Sequence, residues 1–242
     1  MTKAARFVLV ATLFWTAGCG QSERTASGNA APAGREATAP AGQPAGATAA
    51  VERPPAIARP RIVFLGDSLT AGLGLATDET IPALIQNRLD QEDYEYEVVN
   101  AGVSGDTSAG GLSRLDWSLD GDVRVLVIEL GGNDGLRGLP VAAMKQNIAS
   151  IITRARQRGV AVLLTGMEAP PNYGASYTSE FRNVFRDLAR EHDVAFLPFF
   201  LDGVAGNSAL NQRDGIHPNP EGARVIEQKL WASLEPLLDS SH

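Results

Sequence analysis

The sequence predicts an α/β domain in which a mainly parallel five-stranded sheet lies between two layers of helices. Two observations support this fold class. The first is a set of five short apolar runs without polar alternation, which is typical of strands buried on both faces. The second is the helical spacing of the segments between these runs. Strands that alternate with helices require right-handed crossovers, so we expect a three-layer α/β/α sandwich.

The apolar runs predict the strands in chain order. The five predicted strands are residues 62–65, 96–100, 123–130, 160–165 and 194–199. The clearest helical pattern lies between the third and fourth strands, where five apolar residues share one face: Met144, Ile148, Ile151, Ile152 and Ala155. Gly159 predicts the end of that helix. Residues 81–89 and 221–234 have helix-like patterns as well.

The first 18 residues predict a secretion signal. Lys3 and Arg6 precede the apolar run 7–15, which is too short to span a bilayer. The signal ends in Thr16-Ala17-Gly18-Cys19, which resembles a bacterial lipobox. This resemblance implies an exported protein of the bacterial cell envelope, anchored to a membrane through lipids on Cys19 and facing the periplasm. The alternative is ordinary cleavage near Gly18, which would leave a soluble periplasmic or secreted protein.

Residues 19–58 predict a flexible tether, because they consist mainly of Ala, Gly, Pro, Ser and Thr without periodicity. The predicted domain is therefore residues 59–242. It holds 16 of the 21 basic and 25 of the 28 acidic residues, a net charge near −9. An acidic domain without basic clusters argues against a nucleic-acid partner. The single cysteine and three histidines lack the spacing of metal ligands, so we expect no metal and no cofactor.

A serine at the end of the first predicted strand is a candidate nucleophile. Ser68 lies in Gly66-Asp67-Ser68-Leu69, where Ser and Asp are also ordinary helix caps. A serine nucleophile needs a base within hydrogen-bond reach. Of the three histidines, His242 is the last residue and His192 precedes a strand, so His217 is the candidate base.

Three further residues complete the candidate site. Asp214 precedes His217 by three residues, so its carboxylate can accept a hydrogen bond from the second imidazole nitrogen. Gly102 and Asn133 follow two other strands and, together with the Ser68 amide, are candidate donors to an oxyanion. Considered singly, Gly102 is also typical of a turn and Asn133 of an Asx-turn.

Four blocks of this sequence resemble those of SGNH hydrolases, in the same order. They are residues 66–69, 100–107, 131–134 and 214–218. Longer matches at residues 68–74 and 110–117 are similar to the bacterial arylesterase, acyl-CoA thioesterase I and lysophospholipase L1 group. The resemblance implies a flavodoxin-like fold without a cofactor. It also implies Ser68 as nucleophile, Asp214 and His217 as the rest of the triad, and Gly102 and Asn133 as oxyanion donors.

Other residues of these loops have less direct roles. We expect Asp67 to shape the turn before Ser68, and Asp134 to order the Asn133 loop. Residues 168–174, with Tyr177, could form an acyl-binding wall. Phe181 and Phe185 fit either that wall or the core, and core packing is the favoured interpretation.

The sequence therefore predicts a serine esterase. Its expected partners are small-molecule or lipid esters: aryl and short- to medium-chain esters, lysophospholipids and acyl thioesters. One alternative is a carbohydrate O-acetylesterase that uses the same residues on acetyl groups. The other is a noncatalytic envelope lipoprotein that binds a ligand on the same scaffold, since fold does not determine function.

Overall fold

The computed structural model describes residues 59–238. The predicted signal peptide (1–18), the lipidation site Cys19 and the tether (19–58) lie outside the described residues, as does the end of the predicted domain (239–242). These parts stay predictions.

In the described part of the chain, five strands form one parallel sheet with the order β2-β1-β3-β4-β5. The strands are β1 (Arg61–Gly66), β2 (Glu97–Gly102), β3 (Val123–Glu129), β4 (Ala161–Thr165) and β5 (Ala195–Leu197). Each predicted run overlaps one strand, and the predicted five-stranded sheet is confirmed. The strand at residues 194–199 is shorter than predicted, because Pro198 has no N–H to donate to the ladder.

Within residues 59–238, eight α-helices connect and follow the strands. They are α1 (Ser68–Ala71), α2 (Ile81–Gln91), α3 (Ser108–Ser113), α4 (Leu115–Ser118), α5 (Gly132–Leu136), α6 (Val141–Gln157), α7 (Ala175–His192) and α8 (Pro220–Leu234). Three 3-10 turns lie at Thr77–Glu79, Pro171–Tyr173 and Glu235–Leu237. The helix α6 contains the predicted apolar face, and all five of its residues are buried. Gly159 follows this helix with φ +75° and ends it as expected.

The helices form a layer on each side of the sheet. On one side, α2 packs on α8, where Arg88 pairs with Glu227 and the ring of Tyr94 meets that of Trp231. On the other side, α6 packs on both α3 and α7. The three-layer α/β/α prediction is thus confirmed. Among residues 59–238, no helix is both long and apolar enough to cross a membrane.

The sheet and both layers share one apolar core. The central strands β1 and β3 are buried along almost their whole length, as expected for a parallel sheet covered on both faces. Phe181 and Phe185 are fully buried, with ring centroids 5.5 Å apart. The favoured interpretation of these two rings as core residues agrees with this packing. Since all strands are parallel, the loops after them meet at one edge of the sheet.

Candidate active site

A tight turn places Ser68 at the carboxyl end of β1. Ser68 is the first residue of α1, and the Asp67 carboxylate caps this short helix by accepting the Leu69 N–H at 3.0 Å. Gly66 is required here because a Cβ atom at its position would lie 2.0 Å from Thr70 Oγ1. The turn thus depends on the Gly66-Asp67-Ser68 sequence and brings the Ser68 hydroxyl to the sheet edge.

Ser68, His217 and Asp214 form a hydrogen-bonded chain. The distance from Ser68 Oγ to His217 Nε2 is 2.9 Å, and that from His217 Nδ1 to Asp214 Oδ2 is 2.7 Å. The other oxygen of Asp214 accepts the N–H groups of Ile216 and His217. The structure therefore brings together the three residues that the sequence predicted as a triad.

The environment of Asp214 keeps its carboxyl group ionised. The Ile216 N–H lowers its pKa most, followed by the His217 side chain and then the His217 N–H, and together they bring the pKa to about 2. An anion at this position holds the imidazole ring in place and would stabilise an imidazolium. This is the electrostatic arrangement that a histidine base requires.

Several hydrogen bonds hold the loop that carries His217 in place. The Gln212 N–H donates to the His217 carbonyl at 2.8 Å, and Asn211 forms an antiparallel bridge with Pro218. The Gln212 side-chain amide also donates to the Leu73 carbonyl, just after α1, at 2.7 Å. Gln212 thus ties the base to the nucleophile segment, a role that the sequence analysis missed.

Asn133 lies at the start of α5, opposite Asp67. Its Nδ2 donates to Asp67 Oδ2 at 2.9 Å, which uses one of its two N–H groups and leaves the other for a ligand. Gly131, before this helix, has φ +109°, and a Cβ atom there would lie 2.9 Å from the Phe185 ring. Asp134 accepts hydrogen bonds from the Ser108 N–H and hydroxyl, so it ties this loop to α3.

Gly102 is not brought into the site as an oxyanion donor. Its N–H donates to Asn100 Oδ1 at 2.9 Å, and it lies beside Gly66 in the last pair of the β1–β2 ladder. A Cβ atom at Gly102 would lie 2.3 Å from the Ala71 nitrogen. The physical role of Gly102 is therefore to let α1 approach β2, and this corrects the sequence-based prediction for its amide.

Gly105, three residues later, is the glycine of this loop with an available amide. It occupies the third position of the turn 103–106, where its φ of +85° favours glycine. Its carbonyl accepts from Arg137 Nη2 at 2.8 Å, whereas its N–H finds no acceptor within residues 59–238. Gly105 belongs to the second sequence block that resembles SGNH hydrolases, but Gly102 lies nearer to the end of the strand.

A buried acid under the nucleophile turn was also missed. Glu129, the last residue of β3, is fully buried, and its Oε2 accepts from Thr70 Oγ1 at 2.8 Å and from the Asp67 N–H at 3.3 Å. Its Oε1 has no partner in the described part of the chain. Burial, and next the charge of Asp67, raises the pKa of Glu129 well above its ordinary value. The raised pKa favours the protonated form of Glu129, and its hydrogen bonds support the nucleophile turn.

A small, mainly apolar cavity opens beside Ser68 and His217. Its volume is about 180 Å³, and its apolar lining comprises Leu69, Leu136, Met167, Pro170, Leu201 and Ile216. The predicted acyl-binding loop contributes Glu168 and Pro170 to the cavity. A larger cavity of about 590 Å³ lies between α2 and β2 but includes neither Ser68 nor His217. Within residues 59–238, no cluster of three or more metal-ligating side chains occurs.

Several known proteins are similar to this chain. Residues 64–225 match the sequence model of the GDSL-like Lipase/Acylhydrolase family. The chain is 48% identical to esterase TesA of Pseudomonas aeruginosa over 178 residues, which cover 73% of this chain and 89% of that protein. It is 37% identical over 185 residues to thioesterase 1/protease 1/lysophospholipase L1 of Escherichia coli K12, covering 76% and 88%. A crystal structure of TesA superimposes with a TM-score of 0.71 at 47% identity, covering 74% of this chain and 99% of that one.

These similarities include the family match at residues 64–225, which covers the end of β1, strands β2 to β5 and the loops that carry Ser68, Asn133 and His217. They confirm the resemblance on which the sequence-based prediction of an ester hydrolase relied. The chain belongs to the GDSL-like lipase/acylhydrolase family.

Proposed function

We propose that the protein is a serine esterase that cleaves carboxylic acyl esters through an acyl-enzyme on Ser68. The observation that carries this proposal is the hydrogen-bonded chain from Ser68 through His217 to Asp214. Ser68 and His217 line an apolar cavity that could receive the acyl group. A nucleophile, its base and an orienting carboxylate within hydrogen-bond distance are the parts that acyl transfer requires.

In the proposed mechanism, His217 Nε2 takes the proton of Ser68 as the Ser68 oxygen attacks the acyl carbonyl carbon. Asp214 stabilises the imidazolium that forms. His217 then gives the proton to the leaving alcohol or thiol, which departs and leaves the acyl group on Ser68. A water molecule, deprotonated by the same base, hydrolyses this acyl-enzyme and releases the carboxylic acid.

Three donors would hold the oxyanion of the tetrahedral intermediate. They are the Ser68 N–H at the start of α1, the second N–H of the Asn133 amide, and the Gly105 N–H. Gly105 replaces Gly102 in this proposal because the Gly102 amide is used by Asn100. Donors already held in place by the fold stabilise the developing charge without reorganisation.

The proposed substrates are aryl and short- to medium-chain esters, lysophospholipids and acyl thioesters. The names of the relatives, an esterase and a thioesterase/lysophospholipase, support this range. The cavity volume of about 180 Å³ is smaller than a site that encloses a drug-sized ligand, which favours short acyl groups or chains that extend beyond the cavity.

For the amino-terminal part, we propose export and lipidation at Cys19. The support is the basic start, the apolar run 7–15 and the lipobox-like residues before Cys19. Expression with labelled palmitate tests this, since the label should enter the wild-type chain and be absent from Cys19→Ser. Equal labelling of both chains would contradict it.

The test of the activity combines active-site labelling with turnover. The purified full-length chain is treated with a fluorophosphonate serine probe, and peptide mass spectrometry locates the adduct. In parallel, p-nitrophenyl esters from acetyl to palmitoyl are assayed. We expect an adduct on Ser68, turnover that is highest for the shorter esters, and loss of both in Ser68→Ala.

Ser113→Ala is the matched control, because Ser113 is an exposed serine of α3 whose hydroxyl, among residues 59–238, bonds only the Gly110 carbonyl. It should label and turn over like the wild type. An adduct elsewhere, or turnover retained in Ser68→Ala, would refute the assigned nucleophile. A strict preference for acetyl esters would instead favour a carbohydrate O-acetylesterase.

A further inference from the structure

Arg114, at the junction of α3 and α4, makes three side-chain hydrogen bonds with one guanidinium group. Its Nε donates to Asp106 Oδ2 at 2.7 Å, its Nη1 to the Ala101 carbonyl at 2.6 Å, and its Nη2 to the Gly66 carbonyl at 2.9 Å. The Arg114 and Asp106 side chains are each only 18% exposed. Because the guanidinium is planar and rigid, its three hydrogen bonds fix the positions of Asp106, Ala101 and Gly66 relative to one another.

The three acceptors belong to residues close to Ser68 and Gly105, two parts of the proposed active site. Gly66 ends β1, two residues before Ser68, while Ala101 lies near the end of β2. Asp106 directly follows Gly105 in the turn 103–106. One cation therefore links the strand that presents the nucleophile to the loop that presents the Gly105 amide.

Other residues of the loop after β2 also support the contact between Arg114 and Asp106. The Val103 N–H donates to the Gly66 carbonyl at 3.0 Å, so the loop starts beside β1. A Cβ atom at Gly110 would lie 2.3 Å from Asp106 Oδ1, so this glycine makes room for the carboxylate that Arg114 holds. Asp106 is thereby enclosed between α3 and the guanidinium.

We propose that Arg114, acting through Asp106, is a positioning residue that sets the distance between the Gly105 N–H and the oxyanion of the tetrahedral intermediate formed on Ser68. This inference rests on the proposed function. Because the oxyanion exists only during the reaction, misplacing its donor should lower kcat and leave KM nearly unchanged. Lysine keeps the charge but cannot reproduce the three-way fork.

The experiment compares Arg114→Lys and Arg114→Ala with Arg88→Ala in the full-length protein. Arg88 is the matched control, since its guanidinium also binds a nearly buried carboxylate, that of Glu227, but between α2 and α8. Thermal unfolding followed by circular dichroism measures the folded fraction of each variant. Steady-state kinetics on p-nitrophenyl butyrate give kcat and KM.

We expect kcat to fall about tenfold in Arg114→Lys and on the order of a hundredfold in Arg114→Ala, with KM within about threefold of wild type. Added methylguanidinium should restore part of kcat in Arg114→Ala, because it can occupy the vacated position. Arg88→Ala should lose stability and keep its kcat.

Folded Arg114 variants with wild-type kcat would overturn the inference. So would a kcat loss equal to that of Arg88→Ala, or a loss that appears only in KM. A wild-type chain that neither reacts with the fluorophosphonate at Ser68 nor hydrolyses the ester would instead show that the proposed function has failed. Should Arg114→Ala fail to fold, Arg114→Lys and its kcat decide the question.

Discussion

The Asp67 carboxylate accepts a hydrogen bond from the Asn133 side-chain amide at 2.9 Å, while its other oxygen caps α1 through the Leu69 N–H. One buried carboxylate therefore aligns two parts of the proposed site, the nucleophile turn and an oxyanion donor. Asp67 reaches neither the base nor the leaving group in the proposed mechanism, and its contribution is geometric.

Asn133→Ala should lower kcat by about a hundred- to a thousandfold, the usual cost of removing an oxyanion donor. Asp67→Asn should lower kcat as well, because an amide nitrogen facing Asn133 Nδ2 replaces an acceptor by a donor. Kinetics of both single variants and the double variant test the connection. If Asp67 acts through Asn133, its substitution should matter little in the Asn133→Ala background. Additive losses would contradict this connection.

Asp214→Asn should separate loop shape from electrostatics. The retained oxygen can still accept the Ile216 and His217 N–H groups, whereas the new amide cannot accept from the imidazole. We expect kcat to fall by about 10²- to 10⁴-fold, as when a triad carboxylate is replaced.

The pH profile supplies a second check on Asp214. With a pKa of about 2, this carboxylate is ionised from mildly acidic to alkaline pH. Any loss of wild-type kcat/KM between pH 4 and 8 should therefore not reflect titration of Asp214. A folded Asp214→Asn variant with wild-type kcat would show that this carboxylate has no role in the reaction.

Glu129→Gln should change how stability depends on pH. Because the pKa of Glu129 is raised in the folded state, its protonated form stabilises the fold fully below the pKa of the unfolded chain, about 4.3. That contribution is lost as the pH rises from there through the folded-state pKa. Glutamine resembles the neutral acid and does not titrate.

The free energy of unfolding of Glu129→Gln, relative to wild type, should therefore increase with pH above about 4.3. Urea unfolding at a series of pH values measures this difference. Asp122→Asn is the control, because Asp122 forms an exposed ion pair with Arg124. Gln86→Glu is unsuitable as a control, because the Gln86 side chain bonds the backbone of β2. Parallel curves for Glu129→Gln and wild type would show that folding does not raise the pKa of Glu129.

Phe185→Ala tests the assignment of this ring to the core. Phe185 is fully buried and packs edge-on against Phe181, so its truncation should cost about 3–5 kcal/mol of stability. The preference among p-nitrophenyl esters should stay unchanged in the folded fraction. Ile216→Ala, which alters the wall of the cavity, should change that preference. A changed ester preference in Phe185→Ala would show that Phe185 contributes to the acyl-binding wall.

Much of the fold was predictable because its determinants are local. Buried strands of a parallel sheet are continuous apolar runs, and the face of α6 repeats at the helical period, so both are visible without any tertiary contact. The extent of β5 was overestimated, since ladder pairing and not apolar character decides where a strand ends.

The sequence by itself determined the chemistry that is available: one serine after the first strand, a histidine singled out by elimination, and an aspartate three residues before it. Only the tertiary structure decided which groups face the site. The sequence alone does not distinguish Gly102 from Gly105 as an oxyanion donor. In the structure, the Gly102 N–H donates to Asn100 Oδ1, whereas the Gly105 N–H is available to a ligand. The sequence shows Glu129 only as a residue of a strand, whereas its burial in the fold raises the pKa of its carboxyl group. Residue type is a local property, whereas hydrogen-bond partners and burial depend on contacts between distant parts of the chain.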